Sequence, residues 1–214
     1  MYQNISIPQS ASLTAPFTQG GLIIGITGGT GCGKTTLLKE IQKRGGLVLD
    51  CDAIYHELLV SDKAMLAAID TRFPGVIEDG VLNRKKLGNI VFSDENALLD
   101  LNLITHSAVK QEVLRRLEAA PKLAAIDAIA LFEGGLAELC DVTVAVTAPV
   151  EARVKRLMAR DNISESYARN RIAAQHDEAW FREKCGCVLE NNGEIGAFAT
   201  KCVAFLDTLG IMEA

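Results

Sequence analysis

The chain has 214 residues, 49% of them hydrophobic and 23% charged, the balance of a soluble globular protein with one well-filled core. A net charge of −5 speaks against general nucleic-acid binding, and no apolar run approaches the roughly 20 residues that cross a bilayer. The six cysteines (32, 51, 140, 185, 187 and 202) lack the paired spacing of a zinc site and read as free thiols of a cytoplasmic protein.

Residues 1–20 carry neither Lys nor Arg and no continuous apolar core, so they fail as a secretory signal and read as a flexible leader to a domain over 21–214. GLIIGIT (21–27) is short, branched and bounded by glycine, which predicts a buried strand. GGTGCGKTT follows at 28–36, and a helix is expected from Gly33 to Arg44, ended by Gly45 and Gly46. Four further strands are expected at 47–50, 124–132, 141–147 and 187–190. Helical stretches separate them, the alternation of a five-stranded parallel sheet in a three-layer α/β/α fold.

Two segments exceed that alternation. Residues of about 53–118 are largely helical and are expected to form an acceptor lobe. Within them Ser93 is a candidate N-cap followed by acids. The stripe Leu98, Leu101, Ile104 pauses at Thr105–Ser107 before Val109, Val113 and Leu117, which leaves one bent helix and two helices both open. Residues of about 149–184 are expected to form a lid. Positions 151–184 hold eight Lys or Arg against six acids, a basic island that suits a compact polyphosphate.

Gly28, Gly33, Lys34 and Thr35 satisfy G-x-x-x-x-G-K-[ST] between a predicted strand and a predicted helix. The glycines allow successive N–H groups to turn into one concavity that holds phosphate. Gly31, Cys32, Gly33, Lys34, Thr35 and Thr36 are therefore the candidate ATP-binding residues. Lys34 brings a cation to the β- and γ-phosphates, the Thr35 hydroxyl is a candidate Mg²⁺ ligand, and the helix adds its positive end. No glycine register matches the G-x-G-x-x-G of dinucleotide folds, and no N-K-x-D guanine reader follows. Cys32 lies beside these amides and Lys34, surroundings that lower a thiol's pKa and would open it to redox control.

The second strand ends in LDCDAIYHELL, which puts Asp50 and Asp52 where parallel sheets bind ligands. Asp52 is the candidate base that takes the proton from an attacking hydroxyl, with capping of the following helix as its alternative role. Arg156 and Arg160 share one helical face, as lid cations or as partners of Glu151 and Asp161. Glu133, placed at the end of the third strand, is a candidate for reaching Mg²⁺ or ordering the cradle.

The segments GITGGTGCGKTT, LDCDAIYHELL, GVLNRKKLGNIVF, LNLITHSAV, LFEGGLAELCD, RLMARD, RIAAQ and VLENNG occur in this order, and over residues 22 to 210 the chain resembles the dephospho-coenzyme A kinases. The resemblance implies a P-loop kinase that uses ATP and Mg²⁺ to phosphorylate the ribose 3′-hydroxyl of dephospho-coenzyme A. It implies Asp52 as catalytic base, Arg84 and His106 in the acceptor lobe, and Arg156 and Arg160 over the triphosphate. It places Asn191 near the adenine. The chain departs from the family pattern at Ile129 and Ser107, where proline is usual, and at Gly186, where Asp is common. A kinase for another small acceptor, such as a nucleoside or nucleotide, and a non-catalytic ATP-binding regulator are the alternatives.

Overall fold

The computed structural model describes residues 21–193 and 195–212, with the backbone alone at Ile195; the leader expected at 1–20 lies outside the described residues. β1 (Leu22–Thr27) leads through the glycine-rich loop into α1 (Lys34–Lys43), and β2 (Leu47–Asp50) runs straight into α2 (Cys51–Ser61). There follow α3 (Lys63–Arg72), a hairpin of β3 (Ile77–Glu78) and β4 (Val81–Leu82), α4 (Arg84–Val91) and α5 (Glu95–Leu117). The chain returns to the sheet as β5 (Leu123–Asp127) and β6 (Val142–Thr147). It continues through α6 (Val150–Asp161), α7 (Glu165–Ala173), α8 (Glu178–Lys184), β7 (Cys187–Glu190) and α9 (Ile195–Thr208).

The five long strands form the expected parallel sheet, in the order β2-β5-β1-β6-β7. Side chains alternate along a strand, so central β1 feeds two cores. Ile23 packs with Ile54, Ile69 and Val113 of α2, α3 and α5, whereas Ile24 and Ile26 pack with Leu37, Ile41, Phe198 and Phe205 of α1 and α9. Each such fully buried side chain contributes about 2 kcal/mol, so the central strand is tied into both layers of helices. Parallel strands share one carboxyl edge, and the segments after β1, β2 and β5 meet there. Asp50 and Asp127 are direct register neighbours at that edge.

Several local expectations change. The third predicted strand, 124–132, leaves the sheet after Asp127. Its apolar tail satisfies its backbone in turns instead, Gly134 N–H donating to Ala130 O and Leu136 N–H to Leu131 O. α5 is one continuous helix. Thr105 Oγ1 donates back to Leu101 O at 2.9 Å, so this buried hydroxyl at the pause is satisfied within the helix. Its cap is Asp94, whose carboxylate accepts from the N–H groups of Asn96 and Ala97; the Ser93 hydroxyl donates backwards to Asn89 and Ile90 and closes α4. The β3–β4 hairpin inside the helical segment was readable in IEDGVL, since Asp-Gly favours two-residue hairpin turns. Among the described residues no helix is long and apolar enough to cross a membrane.

Candidate active site

The glycine loop is held by contacts that its sequence does not contain. At Gly28, φ is +131° and a Cβ would stand 2.2 Å from Val146 O; at Gly33, φ is +101° and a Cβ would stand 2.4 Å from Asn191 Nδ2. Only glycine lets the backbone pass both places. Behind the loop, Asn191 is buried and donates Nδ2 to Cys32 O at 2.8 Å. Arg153 Nε donates to Thr30 O at 2.9 Å, and Gln175 Oε1 accepts the Thr30 N–H at 2.8 Å. Arg156 Nη1 reaches Gly31 O and Cys32 O at 3.1 and 3.3 Å.

In front of the loop lies a cleft of 380 Å³, lined by residues from Gly29 to Thr35 with Asp50, Asp52, Asp127, Arg156, Arg160 and Arg171. Lys34 Nζ donates to Gly28 O at 3.1 Å and stands 3.8 Å from Asp127 Oδ1. Gly31, Cys32, Gly33, Lys34 and Thr35 thus converge as expected. Thr36 sits behind them in the first turn of α1, its N–H on Gly33 O, and does not line the cleft.

Asp127 is the carboxylate that the sequence reading missed. Burial pushes its carboxyl up to about 6, the nearby Asp50 and Asp52 add to the rise, and Lys34 opposes it. Its Oδ1 is buried with no hydrogen-bond partner. An unfolded Asp127 titrates near 3.8, so between that value and about 6 the folded chain holds a proton that the unfolded chain has lost. Stability therefore falls as pH rises through this window, by about 3 kcal/mol from this group. Denaturation of Asp127→Asn and wild type from pH 4 to 7 should show the variant gaining relative stability across that window. Parallel stability curves would contradict the shift.

The helix after β2 begins at Cys51 and is capped by Asp50, which accepts the Ala53 N–H at 3.0 Å. The capping role weighed for Asp52 therefore belongs to Asp50, and Asp52 stands exposed in the first turn. A second cleft of 250 Å³ opens between α2, α5 and the turn segment after β5, with Tyr55, Leu101, Thr105, His106 and Gly134 among its walls. Asp52 and Ile129 line both clefts. Arg84 is exposed at the start of α4, outside both clefts, with its charge acting on the Tyr55 phenol.

Three further expectations need correcting. Glu133 does not enter the glycine-loop cleft; it pairs with His176 at 2.8 Å, because the chain turns away after Asp127. Cys32 is buried, and that burial raises its thiol pKa against the pull of Arg153, Lys34 and Arg156, the opposite of an activated thiol. Arg160 pairs bidentately with Asp161 while still lining the cleft, but Glu151 pairs with Arg169 rather than with Arg156 or Arg160. Arg153, Arg171 and Gln175 were also missed. A four-apolar run ending in acid (LAAID) was the available signal for Asp127, whereas no local signal marks residues that bond a loop more than a hundred positions away.

A parallel sheet carrying a G-x-x-x-x-G-K-T loop at its central strand, with carboxylates and arginines around one cleft, defines the class of P-loop kinases. Residues 22–197 match the family model described as dephospho-CoA kinase. The dephospho-CoA kinase of Bacillus licheniformis is 32% identical over 198 residues, covering 90% of this chain and 98% of that protein. A crystal structure from Thermus thermophilus superposes with a TM-score of 0.75 at 32% identity, over 89% of this chain and 99% of its own. The dephospho-CoA kinase structure from Campylobacter jejuni shares the fold, with a TM-score of 0.62 at 24% identity over 89% and 98%. The chain belongs to the dephospho-CoA kinase family, transferases of the last step of coenzyme A synthesis.

Proposed function

We propose that the protein transfers the γ-phosphate of ATP to the ribose 3′-hydroxyl of dephospho-coenzyme A, giving coenzyme A and ADP in the cytoplasm. The observation that carries this reading is the place of Asp52, which lines both the glycine-loop cleft and the groove between α2 and α5. A carboxylate at such a junction meets a hydroxyl arriving from one side and a phosphate held on the other. The helical segment of about 53–118 then serves as the acceptor lobe, and that of about 149–184 as the lid.

In this reading Asp52 accepts the hydroxyl proton as the oxygen attacks the γ-phosphorus, and ADP leaves in line. Lys34 neutralises charge on the β- and γ-phosphates. Arg156 and Arg160 do the same from the lid side, where a closed, water-poor cleft strengthens each interaction. Mg²⁺ fits the cleft: the Thr35 hydroxyl and the Asp127 carboxylate, with its orphaned buried oxygen, are the groups that would hold it. When bound, that cation offsets the charge of the triphosphate. Asn191 keeps the loop in its binding shape and marks the adenine side. His106 lies in the acceptor groove, and Arg84, whose charge acts on the groove residue Tyr55, is a cation for an anionic acceptor group.

The test is ADP release measured with dephospho-coenzyme A, with nucleosides and nucleotides, and with no acceptor. Turnover that depends on dephospho-coenzyme A is the expected result. Turnover on nucleosides alone would overturn the acceptor assignment, and ATP binding without acceptor-dependent turnover would favour a regulator.

A further inference from the structure

Two consecutive residues between α7 and α8 touch the two halves of the site. Gln175 Oε1 accepts from Thr30 N–H at 2.8 Å and from Arg153 Nη2 at 3.0 Å, while Arg153 Nε donates to the Thr30 carbonyl. The peptide groups of Thr30 are thereby held through both N–H and C=O. The next residue, His176, reaches the other half. Its Nε2 lies 2.8 Å from Glu133 Oε1, and since an ionised carboxylate only accepts, Nε2 carries the hydrogen.

The His176 ring lies flat against Trp180, centroids 3.8 Å apart and planes 5° apart, and Trp180 packs edge-on against Phe132, the neighbour of Glu133. The segment that carries Phe132 and Glu133 also supplies Ile129, Gly134 and Leu136 to the acceptor groove. Neither Gln175 nor His176 lines either cleft.

We propose that Gln175 and His176 are positioning residues that set the donor loop and the acceptor-side segment relative to each other. Adjacent Cα atoms are about 3.8 Å apart across a rigid peptide, so a displacement at one contact is passed directly to the other. Misplacing reacting groups by about 1 Å can cost on the order of 10²-fold in rate, so a brace that touches neither substrate is felt in kcat. The inference rests on the phosphoryl-transfer reading above.

The experiment compares wild type with His176→Ala, Glu133→Ala, the double variant and His176→Gln, following ADP release with both KM values determined. His176→Ala and Glu133→Ala should each lower kcat by about 10-fold or more. Both KM values should stay within about twofold, since no substrate contact is removed. The double variant should be no slower than the slower single one, because both remove the same contact. His176→Gln, which keeps an N–H donor, should recover most of the lost rate. Gln175→Leu should lower kcat by a larger factor than it raises the KM for ATP.

Wild-type kcat in either alanine variant, multiplying losses in the double variant, a rise in one KM alone, or no recovery with His176→Gln would each overturn the proposal. No turnover by wild type on dephospho-coenzyme A would overturn the function itself and this inference with it. Normal wild-type turnover with unaffected variants overturns the inference alone.

Discussion

Asp52→Asn lowers kcat with dephospho-coenzyme A by at least about 10²-fold, the usual weight of a general base, while ATP binds within about threefold of wild type. The separation follows from where the side chain sits. Asp52 is exposed in the first turn of α2 and makes no side-chain hydrogen bond to the glycine loop, whose shape depends on Arg153, Gln175, Arg156 and Asn191. Asparagine keeps the size and removes the basicity. The fold should hardly notice, since an exposed acid near a helix N-terminus contributes only about 0.5 kcal/mol. Asp50→Asn is the informative comparison, because asparagine caps a helix nearly as well as aspartate and the capped N–H of Ala53 stays satisfied. Single-turnover kinetics with a separate ATP titration would decide the matter. A near-normal rate in Asp52→Asn would remove the residue from the chemistry.

Gly28→Ala should abolish detectable nucleotide binding and cost about 2–6 kcal/mol of stability. A backbone held at φ +131° strains any L-side chain, by about 1–3 kcal/mol. The added methyl would also stand 2.2 Å from Val146 O, a backbone carbonyl near the carboxyl end of β6 that cannot swing aside as a side chain would. Overpacking of that kind adds about 1–3 kcal/mol. The loop must then leave its position, and Lys34, which donates to Gly28 O, loses its anchor. Gly186→Ala serves as the control: its nearest neighbour to a Cβ is Thr143 O at 3.6 Å, so stability should change by no more than about 0.5 kcal/mol. Urea denaturation and ATP titration of both variants check the pair. Wild-type ATP affinity in Gly28→Ala would show that the loop tolerates displacement.

The parts of this site that were legible in advance share one property: they are contiguous. Leu22 to Lys43 form one strand–loop–helix unit whose spacing puts the phosphate-binding groups in one loop, although contacts from elsewhere hold that loop in shape. The place of Asp52 at the carboxyl edge of the sheet was legible because it lies within two residues of the end of its strand. The five-strand alternation was legible because buried parallel strands are short apolar runs. Boundaries failed where two neighbouring residues compete for one task. Ser93 and Asp94 are both good caps, and the choice went to the one whose carboxylate reaches two N–H groups while the other closes α4. Likewise the apolar run 124–132 reads as one strand, yet Leu131 belongs to the core as part of a turn.

Cys32 and Glu133 were misread for a different reason, since an apparent neighbourhood in sequence says nothing of burial or direction. The thiol lies among cations but is also buried against the core, and loss of solvent outweighs them. Glu133 follows a strand end, but the backbone turns six residues earlier, and its carboxylate faces His176.

By itself the sequence determined the residues of the phosphate-binding loop, the parallel α/β/α architecture and the place of Asp52 just past the second strand, because short-range spacing and side-chain type suffice for each. Only the tertiary structure decided that Asp127 faces Lys34, that Asn191, Arg153 and Gln175 hold the loop from behind, and that Asp52 stands where two clefts meet. Those relations join residues from separate crossovers of the sheet, and they exist only once the strands have paired and brought their carboxyl ends to one edge.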